Sequence, residues 1–359
     1  MTPITQARMR SQHLRGDPVE TPEEVVRLLG AVQSQDFGPA KWSIAQRSEG
    51  VTDAALDQAF AAGTILRTHV LRPTWHFVLP ADIRWMLELT APRVHALNSA
   101  FYRNQDLDGA VLERCNAALA RALQGGQHLT RQEIGALLER AGIATNPLRL
   151  GAILMNAELN GIVCSGTPHG KQQTYALLEE RAPQARRLNR EEALAELTLR
   201  YFTGHGPATA KDLRWWSSLT MADIERGMAM VASRLEHEVI DGVTYWFAAS
   251  EPDPDPASPT VHLLQGYDEY IVGYGESKYV LDVSGVARSL PRARGIYTHA
   301  IILDGQVAGQ WRPVPKKNAV TVEVTLFTPF GDAQTEGLRG AAERYGAFLG
   351  LPAALTIPG

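Results

Sequence analysis

"GPATAKDLRWWSSLTMADIERGMAMV", Gly206–Val231, and the "LEHEVIDGVTYWFAA" that follows it, Leu235–Ala249, decide the fold. The first stretch reads as a capped helix, a Ser-Ser-Leu-Thr turn and a second capped helix. The second reads as a β-hairpin turning at Asp241-Gly242, a dipeptide suited to the positive φ angles of a two-residue turn. Helix, tight turn, helix and wing together describe a helix-turn-helix of the winged kind.

The same outline occurs twice more, and recurrence strengthens a reading that one copy would leave weak. In "ETPEEVVRLLGAVQ", Thr21 is the N-cap, Pro22 takes the first helical position and Glu24 completes a capping box. Val25, Leu28, Leu29 and Val32 line one apolar face. Gln33 and Gln35 then fall at the expected helix end, with Gly38-Pro39 breaking the chain. A helix capped by Thr52 and closed by Gly63 follows, then a hairpin in "TILRTHVLRPTWHFVLP". In the second copy Thr130 and Glu133 form another capping box. "NPLRLGAILMNAELNG" gives a helix, and "IVCSGTPHGKQQTYAL" reads as strand, wing, strand.

"EPDPDPASP", Glu251–Pro259, reads as a linker. Beyond it come a hairpin turning at Asp304-Gly305, an alternating strand in "NAVTVEVTLF" and a terminal helix. The expected class is therefore α+β: three tandem winged-helix (helix-turn-helix) units with a small C-terminal antiparallel β-containing region. The expected segments are 1–100, 101–190, 191–250 and 251–359.

Composition narrows the function classes. The net charge of −4 does not favour binding nucleic acid by bulk electrostatics, so local patterning has to carry any such case. No apolar run approaches the ~20 residues of a membrane span, and "MTPITQARMR" lacks the core of a signal peptide. The two cysteines, Cys115 and Cys164, fit a reducing cytoplasm and argue against a disulfide framework.

Several chemistries lack their signature. "GYGESKYV" has neither the spacing nor the Lys-Ser/Thr of a phosphate loop, and there is no His-Glu-x-x-His, nucleophile elbow or Cys/His zinc pattern. His69 and His76 lie on opposite limbs of the first hairpin and could face each other; with no third ligand, packing or substrate contact is the better reading. Trp215 and Trp216 read as core. Asp268 and Glu269, adjacent acids in an apolar run, read as caps or as partners for a buried arginine.

"AVQSQD", "RTHVLRPTWHFVLPAD", "GPATAKDLRWWSSL", "GYDEYIVGYG" and "DGQVAGQWR" occur in that order over nearly the whole chain. The ordered set resembles the winged-helix DNA glycosylase family of the AlkZ and YcaQ type. The resemblance implies that a Gln-aliphatic-Gln motif supports removal of alkylated purines, and its two polar positions match Gln33 and Gln35. Ser34 replaces the aliphatic residue, and Asp36 follows directly.

The chemistry explains why an uncharged amide suffices. A purine alkylated at N3 or N7 is cationic and leaves without a general acid, through an oxocarbenium-like sugar. Positioning a water and supplying oriented dipoles then remain, and a glutamine does both. Asp36 is the second-rank base. DNA or pocket contacts are expected from Lys41 and Trp42 and from Arg67, His69, Arg72, Thr74 and His76 on the first hairpin. Lys171 in the second wing and Arg312, Lys316 and Lys317 near the last hairpin complete the set. The resemblance implies that this last hairpin approaches the DNA groove.

The expected protein is a monomeric, cytoplasmic, monofunctional glycosylase acting on alkylated double-stranded DNA, bulky adducts and interstrand crosslinks included, with no metal or cofactor. No lysine in the motif offers a Schiff-base lyase step. Two alternatives stay open: a non-catalytic tandem winged-helix regulator, and a self-resistance protein that sequesters an alkylating natural product.

Overall fold

Thr21 Oγ1 accepts from the Glu24 N–H, and the Glu24 carboxylate accepts from the Thr21 N–H, both at 3.2 Å. In this computed structural model, which describes residues 3–249, 259–289 and 299–357, that exchange satisfies two orphan donors of the helix Pro22–Leu29. Thr130 and Glu133 cap Arg131–Arg140 in the same way. The described residues are 51% helical and 20% strand, in keeping with a mixed α+β class.

Two compact units result. One comprises Met1–Leu56, Ala195–Trp216 and Met221–Gly359; the other comprises Asp57–Leu194 and Ser217–Thr220. They do not coincide with the four contiguous segments expected, because each gathers stretches far apart in sequence. Local periodicity identifies an apolar face but not the face it meets.

In the second unit, Leu66–His69 and Trp75–Val78 form the expected hairpin. Gly109–Leu123, Arg131–Arg140 and Pro147–Leu159 follow as helices, each N-capped by a side chain: Asp108, Thr130 and Asn146. Thr174–Leu177 then lies between Leu129–Thr130 and Val163–Ser165 in a three-stranded antiparallel sheet.

The first unit holds nearly all of the helix pair that opened the sequence reading, apart from Ser217–Thr220. Ala210–Ser217 and Met221–Val231 are followed by Leu235–Ile240 and Val243–Ala248, which turn at Asp241 and Gly242 with φ of 51° and 76°. Its C-terminal part is a five-stranded sheet, in the order Ala353–Thr356, Ala319–Leu326, Gln306–Lys316, Ala300–Leu303, Val261–Leu263. The first of these strands runs parallel to its neighbour, so the sheet is mixed where an antiparallel one was expected. The helix Asp332–Leu349 returns the chain across the sheet, so the last strand enters in the same direction as Ala319–Leu326. Residues 251–258 of the expected linker lie outside the described residues.

Three local expectations change. The helix Pro22–Leu29 stops at Gly30, whose φ of +74° suits a residue without Cβ, so the glutamines do not sit at its end. Gln33 instead belongs to the two-residue strand Val32–Gln33. Gly38 and Pro39 do not break the chain; they lie in the first turn of the helix Phe37–Ala45, where proline's missing N–H costs nothing. Trp216 is fully buried as expected, but Trp215 is 48% exposed.

Candidate active site

The Gln33–Asp36 segment runs from buried to exposed. Gln33 and Ser34 are buried, whereas Gln35 and Asp36 open to solvent at the start of Phe37–Ala45. Asp36 occupies the N-cap position without a side-chain capping bond, which leaves its carboxylate to other work.

A second stretch, Leu263–Gly275, holds this segment from behind. The Gln33 N–H donates to Glu269 Oε1 at 2.7 Å. Trp42 Nε1 donates to the Leu263 carbonyl at 2.6 Å, and Gln265 Nε2 donates to Ser43 Oγ at 2.9 Å. Arg47 grips Asp268 through both oxygens, at 2.7 and 2.9 Å, with both side chains fully buried. Asp268 also caps the short helix Glu269–Val272 by accepting from the Tyr270 N–H. The expectation that it partners a buried arginine is met. Glu269 differs: its second oxygen accepts from Trp216 Nε1 at 2.9 Å and from His205 Nε2 at 3.3 Å.

Around this clamp the surroundings are aromatic. The His205 ring stacks on Tyr201 with centroids 4.8 Å apart and lies 5.3 Å from Trp216. Trp42 packs edge-on to Tyr345, which in turn meets Trp311. Trp311 packs edge-on against His299. Burial lowers the His299 pKa from its ordinary value, and the negative charge of Asp36 opposes that shift, so the imidazole lies within electrostatic reach of the motif. Sequence reasoning missed His299, since nothing local links it to a position more than 260 residues earlier. It noticed Glu269 without its partner; an acid inside an apolar run was the available signal.

Lys41 and Trp42 do not face solvent. Both are 4% exposed, and Lys41 Nζ pairs with Asp53 at 2.7 Å. Phe37–Ala45 is buried all round from Ala40 to Ala45, so both side chains support the helix and neither is presented to a phosphate.

The first hairpin's candidates belong to the second unit. Thr68 pairs with His76 and His69 with Trp75, so the two histidines alternate onto opposite faces and do not face each other. His69 Nδ1 meets the buried Glu158 carboxylate, which also accepts from Trp75 Nε1 at 3.2 Å. His76 Nδ1 donates to the Thr74 carbonyl, and Arg72, itself nearly buried, lies against His76 Nε2. Arg67 lies over the Trp75 ring with its guanidinium carbon 4.4 Å from the centroid. Arg67, Trp75, Arg131, Gln132 and Tyr175 line one open groove of about 820 Å³ within this unit. Lys171 is exposed in the loop joining Val163–Ser165 to Thr174–Leu177. No cluster of three or more His, Cys, Asp or Glu suited to a metal occurs among the described residues.

In the first unit, Lys316 and Lys317 stand exposed at the tip of the long hairpin Gln306–Lys316/Ala319–Leu326. Arg312 is also exposed, but its Nε donates to Glu323 at 2.8 Å across the hairpin. Pro313 and Pro315 carry no backbone N–H, so neither can donate to a neighbouring strand.

A family model described as DNA glycosylase AlkZ-like matches residues 26–348. The chain belongs to the AlkZ-like DNA glycosylase family. It is 23% identical over 340 residues to the interstrand DNA cross-link repair glycosylase of Streptomyces sahachiroi, covering 91% of this chain and 90% of that protein. The solved structure of Streptomyces sahachiroi DNA glycosylase AlkZ matches with a TM-score of 0.81 at 21% identity, covering 99% of this chain and 98% of that one. At that identity the structural likeness speaks for the fold. Among the described residues, no helix is long and apolar enough to cross a membrane.

Proposed function

We propose that this AlkZ-like protein hydrolyses the N-glycosidic bond of cationic N3- or N7-alkylated purines in duplex DNA, as a monomer and without a lyase step. The observation that carries the reading is the Gln33–Asp36 segment, fixed from behind by Glu269 and open to solvent at Gln35. The leaving base already bears positive charge, so no general acid is required of the protein. The glutamine carbonyls orient water toward C1′ and place dipoles against the charge that develops on the sugar. Asp36, exposed and next to Gln35, is the second-rank base. The recurrent helix-helix-hairpin groups act as tandem winged helices, and the Lys316–Lys317 hairpin tip contacts the DNA backbone. Interstrand crosslinks are included by analogy with the Streptomyces sahachiroi relative, and bulky N7 adducts because they present the same cationic leaving group.

The test is a duplex carrying a single 7-methylguanine, incubated with the protein, treated with alkali and resolved on a gel. Strand cleavage that weakens in Gln33→Ala and Gln35→Ala at retained DNA affinity supports the reading. Equal background in all three proteins, repeated on bulkier N7 adducts and a crosslink, replaces it with a non-catalytic binding role.

A further inference from the structure

We infer that Glu269 is a positioning residue for the reaction, acting through the backbone of Gln33; the inference rests on the proposed glycosylase reading. Three N–H groups from three separate elements converge on this one fully buried carboxylate: the Gln33 backbone, the Trp216 indole and the His205 imidazole. The first two donate only and have no acceptor capacity to offer in return. A carboxylate, with about four lone-pair sites, accepts all of them; an amide has a single acceptor oxygen and turns an NH₂ toward donors.

The convergence fixes the point at which the motif leaves the core. Gly30 lies against Trp216, with the ring carbon Cη2 3.4 Å from where a Cβ would stand. Trp216 donates to one oxygen of Glu269, and the other oxygen holds Gln33 three residues after Gly30. His205 is wedged in place by Gly273, where an added Cβ would stand 2.7 Å from the imidazole Cδ2. With Nε2–H directed at Glu269, His205 Nδ1 is left without a hydrogen-bond partner among the described residues. The imidazole is therefore committed to the carboxylate at some cost elsewhere, as expected where a group is held for geometry. Gln35 lies two residues beyond the anchored amide, so a shift of the Gln33 backbone displaces both glutamines together.

The test compares Glu269→Gln, Gln33→Ala and Gln35→Ala in single-turnover excision of 7-methylguanine, with the dissociation constant for the same duplex measured alongside. The expected result for Glu269→Gln is a rate about tenfold or more below wild type, with DNA affinity within about twofold. In protein labelled with ¹⁵N-glutamine, the Gln33 amide proton should also move upfield as its charged acceptor is lost. A wild-type rate in Glu269→Gln with slow glutamine variants overturns this inference and leaves the glycosylase reading standing. A rate that falls only in step with DNA affinity overturns it as well. Wild-type rates in both glutamine variants instead overturn the reading on which it rests. If Glu269→Gln does not fold, Glu269→Asp keeps the acceptors but withdraws them by one methylene. It should then show the same split between rate and affinity, and a wild-type rate in that variant overturns the inference.

Discussion

Arg47 and Asp268, 221 positions apart, form a doubly bonded ion pair from which solvent is fully excluded. The remaining guanidinium donors reach the Gln12 backbone carbonyl, the Gln12 side chain and the Ser43 carbonyl. One interaction thus ties the N-terminal segment, the helix that follows the motif and the Leu263–Gly275 clamp. Removing one partner leaves the other charge buried alone. Asp268→Ala should lower unfolding free energy by about 3–5 kcal/mol, measured by urea denaturation at neutral pH; a loss below 1 kcal/mol would contradict this account.

Gln35 is the exposed member of the motif and Gln33 the anchored one. Gln35→Ala should lower single-turnover excision by roughly 10²-fold, the scale of losing one preorganised dipole. Melting temperature should stay within about 1 °C, since surface changes cost little. Gln33→Ala should lower both the rate and the stability, because its side chain is buried.

The hairpin tip exposes Lys316 and Lys317 to solvent, whereas Arg312 is engaged by Glu323. Replacing both lysines by alanine should weaken DNA binding similarly for all sequences and reduce the log–log salt slope by about 2. Arg312→Ala should change that slope less. Fluorescence anisotropy across a salt series distinguishes the two, and an unchanged slope in the double variant would remove this hairpin from the interface.

His262, on the strand Val261–Leu263, has its pKa lowered to about 3, first by burial and then by Arg344 and Arg47, against an ordinary 6.5. As pH falls through 6.5 the unfolded chain takes up this proton and the folded chain does not, so stability present above that value declines toward pH 3. By surface area the ring is only partly buried. Solvent screening of this half-buried side chain holds the effect to about 1 kcal/mol between pH 7.5 and 5.5. His262→Gln should flatten the pH dependence of the melting temperature over that window. Parallel curves for the two proteins would refute the assignment.

The local elements were legible because their causes are local. Thr21 and Glu24, or Thr130 and Glu133, close a capping box with residues three apart, and Asp241-Gly242 makes a turn from two adjacent φ angles. Gly38-Pro39 misled because the same dipeptide that ends a helix also fits the first turn of the next. The inward turn of Lys41 was hidden, since its partner Asp53 is outside the helical repeat that spacing arguments use.

The order of helices and hairpins, the capped boundaries and the Gln-Ser-Gln segment were thus determined by the sequence itself, through hydrogen bonds and periodicities that span a few residues. Tertiary structure alone decided that Gln33 would be held by Glu269 and that Asp268 would take Arg47. Those pairings join positions more than 200 residues apart. They form only where burial removes water as the competing partner and makes each unsatisfied donor or charge costly.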